Sequence, residues 1–165
     1  MSTVPEAVAD MEIADDLYHK CQTCHTTIDI PLDLYLRLDS GVFQNGEETR
    51  AVDLNEPWYV GIYWCLLGGL AKTTCVDWCV SVHFESMGDD PEFEVPNVVE
   101  TEFCQRCWRL RVTTDKIEVE GRECGDVYRI IVVVTARDKC RGKPVGITGF
   151  CDLGIVQFYT GHTEH

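Results

Sequence analysis

Basic residues are scarce in this chain. Its 165 residues hold 14 Lys and Arg against 28 Asp and Glu, a formal charge of −14. Attraction to phosphate scales with exposed cations, so this balance argues against a general nucleic-acid binder. Long apolar runs are also missing. The best stretch, residues 58–82, is broken by Gly68, Gly69, Lys72 and Asp77, short of the roughly 18–20 apolar residues that a membrane span needs. No membrane partner is expected. The opening MSTVPEAVADMEIADD lacks the basic n-region and apolar h-region of a signal peptide. Read as complete from its Met, the chain is expected in the cytoplasm or nucleus, with its thiols reduced. No Gly-x-Ser-x-Gly elbow and no phosphate-cradling Gly-Lys-Ser/Thr loop is present, and no long amphipathic helix can be drawn.

Cysteine, in contrast, is abundant at ten residues. Such a count marks either an oxidised secreted scaffold or a reduced metal-binding protein, and the expected reduced state favours metal. The chain is long enough to bury a core unaided, so a metal would add to a core rather than replace it. Two pairs share the pattern Cys-Gln-x-Cys: Cys21 with Cys24, and Cys104 with Cys107. Each Cys-x-x-Cys turn can supply two thiolates to a tetrahedral zinc. The sequence therefore predicts one structural zinc, held by two knuckles and stapling distant halves of one domain. A second metal site is drawn from Cys75, Cys79 and His83, which fall on one face if residues 71–85 are helical. Cys65, Cys124, Cys140 or Cys151 would complete it, and His19 and His25 flank the first pair. The plain alternative is that most of these cysteines are small buried hydrophobes.

Alternation dominates elsewhere. Ile28, Ile30, Leu32, Leu34, Leu36 and Leu38 repeat with period two, the signal of a half-buried strand, with Pro31 marking an edge or a break. Ser40-Gly41 and Asn45-Gly46 read as turns. Residues 58–65 read as a buried strand. The 71–85 segment fits a helix or a strand, with strand preferred for its second half. Residues 85–102, with seven acids and two prolines, read as an exposed acidic loop. Trp108, Leu110 and Val112 alternate with Arg109 and Arg111. Residues 130–134 form a buried strand, 140–144 a hairpin turn and 145–159 a last β segment. The fold class is mainly β, with α+β the alternative: an acidic tail over 1–16 and one zinc-binding domain over 17–165.

Three functions compete. The first is a non-enzymatic interaction protein whose contact surfaces are the acidic loop and the Arg106–Arg111 strand, with a protein partner favoured by the net charge. The second is a zinc-dependent deaminase or hydrolase, in which His83, Cys104 and Cys107 hold the metal and Glu85 shuttles the proton. Phe103 stands where that signature has Pro, and the 18 residues between Glu85 and Cys104 leave no room for its helix. The third is RNA binding through residues 104–143, which hold ten bases against six acids. Arg106, Trp108, Arg109 and Arg111 would supply stacking and phosphate contacts there, with core packing the competing reading of Trp108.

On the four paired cysteines and the strands after them, the chain resembles Mss4-like zinc-stapled β folds. That resemblance implies an architecture and leaves the function open. On the same cysteines it is similar to small cysteine-rich accessory proteins of RNA viruses, such as the silencing suppressors of sobemoviruses. That likeness implies an antagonist of host defence or RNA silencing, acting by protein contact or RNA binding.

Overall fold

The computed structural model describes residues 6–7, 24–28, 34–69, 76–102, 105–119, 125–139 and 142–161. Cys21, Cys75, Cys104, Cys124, Cys140, His19 and Pro31, and most of the expected tail, lie outside the described residues. Mainly β is correct. Among the described residues eleven strands form two sheets, antiparallel except where β5 joins β11, and no helix there is long and apolar enough to cross a membrane.

In chain order the strands are β1 (Glu6–Ala7), β2 (Cys24–Ile28), β3 (Tyr35–Gln44), β4 (Glu47–Glu48), β5 (Ala51–Asp53) and β6 (Trp58–Leu67). They continue with β7 (Val76–Ser86), β8 (Phe93–Val99), β9 (Cys107–Val112), β10 (Asp126–Asp138) and β11 (Pro144–Tyr159). Sheet A has the order β1-β9-β6-β3-β4, and sheet B the order β2-β11-β10-β7-β8. A further strand, β5, runs parallel to the end of β11. The inner faces meet in one core, drawn from alternate residues of both sheets. Trp64 and Trp108 of sheet A stack at 6.0 Å, and Trp78 of sheet B meets their edges at 6.0 and 5.0 Å. A second aromatic group joins Trp58 to Phe84 and Phe158. Such pairs add about 0.5–1.5 kcal/mol each beyond burial. The three indole N–H groups of the tryptophan triad have no hydrogen-bond partner, a cost of about 1–3 kcal/mol each that the surrounding apolar burial must exceed.

Several expectations change. Ser40-Gly41 is not a turn. β3 runs through it, with the Ser40 hydroxyl donating to the Gly61 carbonyl at 2.7 Å. The turn lies at Asn45-Gly46, where both residues take positive φ, 55° and 77°, as a tight hairpin requires. The 76–86 segment is entirely strand. Residues 85–102 are not a loop, because β8 occupies 93–99 as the edge of sheet B. Its acids had hidden the alternation of Phe93, Val95 and Val99, which pack inward while Glu94 points outward.

The zinc expectation is corrected here. Cys24 is disulfide-bonded to Cys151, and Cys107 to Cys65. Cys24 and Cys107 belong to different sheets, and each is bonded to a cysteine of its own sheet. Each cystine joins residues directly opposite on neighbouring antiparallel strands, with Cα atoms 4.0 and 4.1 Å apart. A cysteine ligates zinc as its thiolate, and a cystine sulfur is not one. Among the described residues no group of three or more His, Cys, Asp or Glu is placed to hold a metal ion. The zinc-knuckle staple is thus replaced by a cross-strand disulfide in each sheet.

Loop-closure entropy makes these bonds strong staples. For separations of 42 and 127 residues, the chain-entropy model gives about 4 and about 5 kcal/mol. The Cys65→Ala/Cys107→Ala variant is expected to lose about 2–4 kcal/mol in urea unfolding under non-reducing conditions, and reductant should shift wild type the same way. An unchanged midpoint in both experiments would remove the disulfides from the account.

Candidate interaction surface

Because side chains alternate, each sheet also has an outer face. On sheet A that face carries Arg37, Asp39 and Phe43 from β3, Tyr59, Tyr63 and Cys65 from β6, and Arg109 and Arg111 from β9. Phe43, Tyr63 and Cys65 are buried there as a small cluster of their own. The Tyr63 hydroxyl donates to the Cys65 sulfur at 3.1 Å. The predicted basic patch is divided by this geometry. Trp108 is 1% exposed and belongs to the core, so it is no stacking platform. Arg106 and Arg111 are exposed and Arg109 is half-buried. The Arg111 guanidinium lies 4.6 Å from the centre of the Tyr59 ring.

The outer face of sheet B is built differently. One row across its five strands reads Pro96, Ser81, Val133, Phe150 and His25. The next reads Val98, Cys79, Thr135, Thr148 and Thr27. None of these ten side chains is buried and none carries a formal charge. His25 packs its ring on Phe150 at 5.0 Å, and the Thr135 and Thr148 hydroxyls meet at 3.1 Å. Val98 is 64% and Phe150 44% exposed, and Ile155 is 50% exposed two rows further along β11. Half-buried Ile131 and Val133 fill the centre. Val98 and Phe150 stand three strands apart with Val133 between them, and exposed apolar side chains gathered on one uncharged face make it a candidate contact site.

Charge is confined to the margins of that band. Beyond one side lie Glu94, His83, Ile131 and Asp152, then Glu85 and Arg129; beyond the other lie Asp77 and Arg137. Arg129 Nε donates to both Asp152 oxygens at 3.2 Å, and its Nη1 lies 3.8 Å from Glu85. A register shift in the β10–β11 ladder brings Asp152 to this position. Asp152 also accepts from the Gly154 N–H at 3.0 Å. Gly154 holds a positive φ of 74°, a conformation that residues with side chains rarely adopt, and a Cβ there would meet the Arg50 guanidinium at 2.7 Å and displace it.

The remaining predicted sites are not assembled among the described residues. Cys79 and His83 share the outer face of β7, but four residues of strand separate them by about 13 Å, where a helix would have stacked them. Cys79 is a free thiol. His83 faces Glu94 at 4.0 Å, and Ser81 hydrogen-bonds the same carboxylate. Glu85 is turned to Arg129, and Cys107 is a cystine in the opposite sheet, so the deaminase constellation does not form around it. A cleft of about 250 Å³ opens beside β8, lined by Glu94, Pro96, Asn97, Thr113, Asp115 and Lys116. Its lining includes no histidine or cysteine.

The sequence reading missed Val98, Phe150, Ile155 and Val133. A signal was present: residues 130–134 are apolar at five consecutive positions, so one strand must be apolar on both faces. Only one of those faces points into the core.

The Arg129 hydrogen bond holds the Asp152 carboxyl below its ordinary value of 3.8, with the Gly154 N–H assisting and burial opposing. A lowered folded pKa means that the contribution to stability is complete above the ordinary carboxylate range. It is lost as pH falls through the depressed folded value. An NMR titration of the Asp152 carboxyl is expected to show a midpoint below 3.8, rising toward that value in Arg129→Gln. An unmoved midpoint would mean that the pair is not formed in solution. The chain matches no family model, no curated protein and no solved structure.

Proposed function

We propose that this chain is a non-enzymatic interaction protein, a disulfide-stapled β-sandwich that binds a partner protein through the outer face of sheet B. The observation that carries this reading is the uncharged band across five strands, with Val98 and Phe150 exposed on it. In a chain with 25% charged residues, ten adjacent outward positions without a formal charge point to a surface that loses water on binding. A rigid sheet supplies a preorganised platform, which lowers the ordering cost of association. The two cystines favour an oxidising compartment over the reducing cytosol expected from the N-terminus. Antagonism of a host defence by protein contact, implied by the likeness to small viral accessory proteins, would be one form of this activity.

The test is quantitative affinity capture from the source organism with wild type, the Val98→Glu/Phe150→Glu variant and the sheet A control Tyr35→Glu. Tyr35 is 65% exposed, so the control adds a charge without disturbing the core. The bound proteins are expected to fall at least about tenfold for the sheet B variant, the loss of a single contact worth about 1.4 kcal/mol, and to persist with the control. Identical capture by all three would refute the face.

A second reading draws on sheet A. Arg106 and Arg111 are exposed, and Arg111 over Tyr59 joins a cation to an aromatic ring, the combination that single-stranded RNA binders use. Here the expectation is weak binding to a fluorescent RNA oligonucleotide that falls steeply between low and physiological salt and is lost in Arg111→Glu. Salt-independent or Arg111-independent binding would exclude this surface.

A further inference from the structure

Resting on the sheet B reading above, we infer that the occupant of this face is a second copy of the chain, stacked sheet on sheet about a twofold axis. The strand register supplies the argument. β10 carries the two outward arginines, Arg129 and Arg137, and its neighbour β7 carries carboxylates at the same levels, Glu85 and Asp77. A twofold axis parallel to the strands and midway between β7 and β10 exchanges these two columns and leaves the rows in place. Arg129 then faces Glu85 of the second copy, and Arg137 faces its Asp77, each pairing occurring twice by symmetry.

The same operation carries β11 onto β8. Phe150 faces Pro96 of the second copy and Thr148 faces its Val98, while Val133 faces Ser81 between them. Phe150 of one copy is therefore laid on Pro96 of the other and Val98 on Thr148, and the uncharged band meets itself without like charges. One like-signed pairing remains, Asp152 against Glu94 of the second copy. Asp152 is already bound by Arg129, which sits beside that junction.

Area supports the assignment. The four strands that the axis pairs, about 4.8 Å apart, and five side-chain rows about 6.8 Å apart make a face on the order of 650 Å², within the range that one partner contributes to an interface of standard size. Stacked sheets accommodate such a contact at about 10 Å separation, with their strands rotated by about 30°. The excess acid of each copy is screened beyond about 8 Å at physiological salt, so local pairing decides the contact.

Sedimentation velocity on the full chain at about 100 μM, a concentration that populates dimers of micromolar Kd, tests this. The expected species has twice the mass of the 18.7 kDa chain. Phe150→Glu and, independently, Val98→Arg should sediment as single chains with thermal midpoints near wild type, since both positions are exposed. Tyr35→Glu should remain dimeric. Arg137→Glu turns two exposed pairings repulsive and should weaken the dimer about tenfold. A wild-type monomer at that concentration overturns the second copy as occupant, while the affinity capture separately decides whether the face binds a different protein. A dimer that survives both sheet B variants, or dissociates with Tyr35→Glu, overturns the placement.

Discussion

Trp64 and Trp108 sit opposite each other on β6 and β9, and Trp78 reaches across from sheet B to close the triangle. Fixing these three side chains inward fixes the direction of the alternating residues along three strands. In β7 it sends Val76, Val80, Val82 and Phe84 inward with Trp78, and Asp77, Cys79, Ser81, His83 and Glu85 outward. A slip of one residue would exchange those two sets. It would expose large apolar side chains, worth about 1.5–3 kcal/mol each when buried, and bury two carboxylates. The pairings on either side of β7, to β8 and β10, inherit this register, and with them the rows of the outer face.

The cystines follow from the same register. Two cysteines three residues apart in a turn suit a metal, whereas two cysteines opposite on paired strands suit a covalent bond. The sequence displays the first arrangement openly and conceals the second, because Cys65 and Cys151 lie far along the chain from Cys107 and Cys24. Only strand pairing brings them together. Cys24 opens β2 and Cys107 opens β9, so each bond pins a strand at its first residue, where the ladder would otherwise fray. The resemblance to zinc-stapled folds rested on Cys-x-x-Cys spacing, and spacing alone does not distinguish a thiolate from half of a cystine.

Much of the fold was legible because a sandwich writes its core with period two. Leu36, Leu38, Trp108, Leu110 and Val112 were placed on the correct faces by alternation alone, and the mainly β class followed. The failures have physical causes. β8 was hidden because Glu92, Glu94 and Pro91 resemble loop composition, although an edge strand tolerates such residues on its open side. Ser40-Gly41 resembled a turn, but the sheet has room there only for a small residue, with Phe43 ring carbons about 3.1 Å from where a Gly41 Cβ would lie. The interaction surface was the least legible part. An outer face assembled from five strands leaves no local motif, and Phe150 and Val98 come onto one face only after the strands are ordered.

The difference between the two outer faces also bears on how association can occur. Sheet A buries Phe43 and Tyr63 of its outward aromatics and leaves Tyr35 exposed at the start of β3, whereas sheet B leaves Val98, Phe150 and Ile155 open. Sheet B could in principle grow by adding a strand at β8, its free edge. That edge carries Pro96, which has no N–H to offer an incoming strand, and the exposed carboxylate Glu94. Both features oppose edge-to-edge pairing. Across β7, β10 and β11 the uncharged band beside that edge has no proline and no carboxylate of its own. Association through the β8 edge is thus opposed at residues that border the uncharged band, which favours the side-chain face over that backbone edge in the proposed contact.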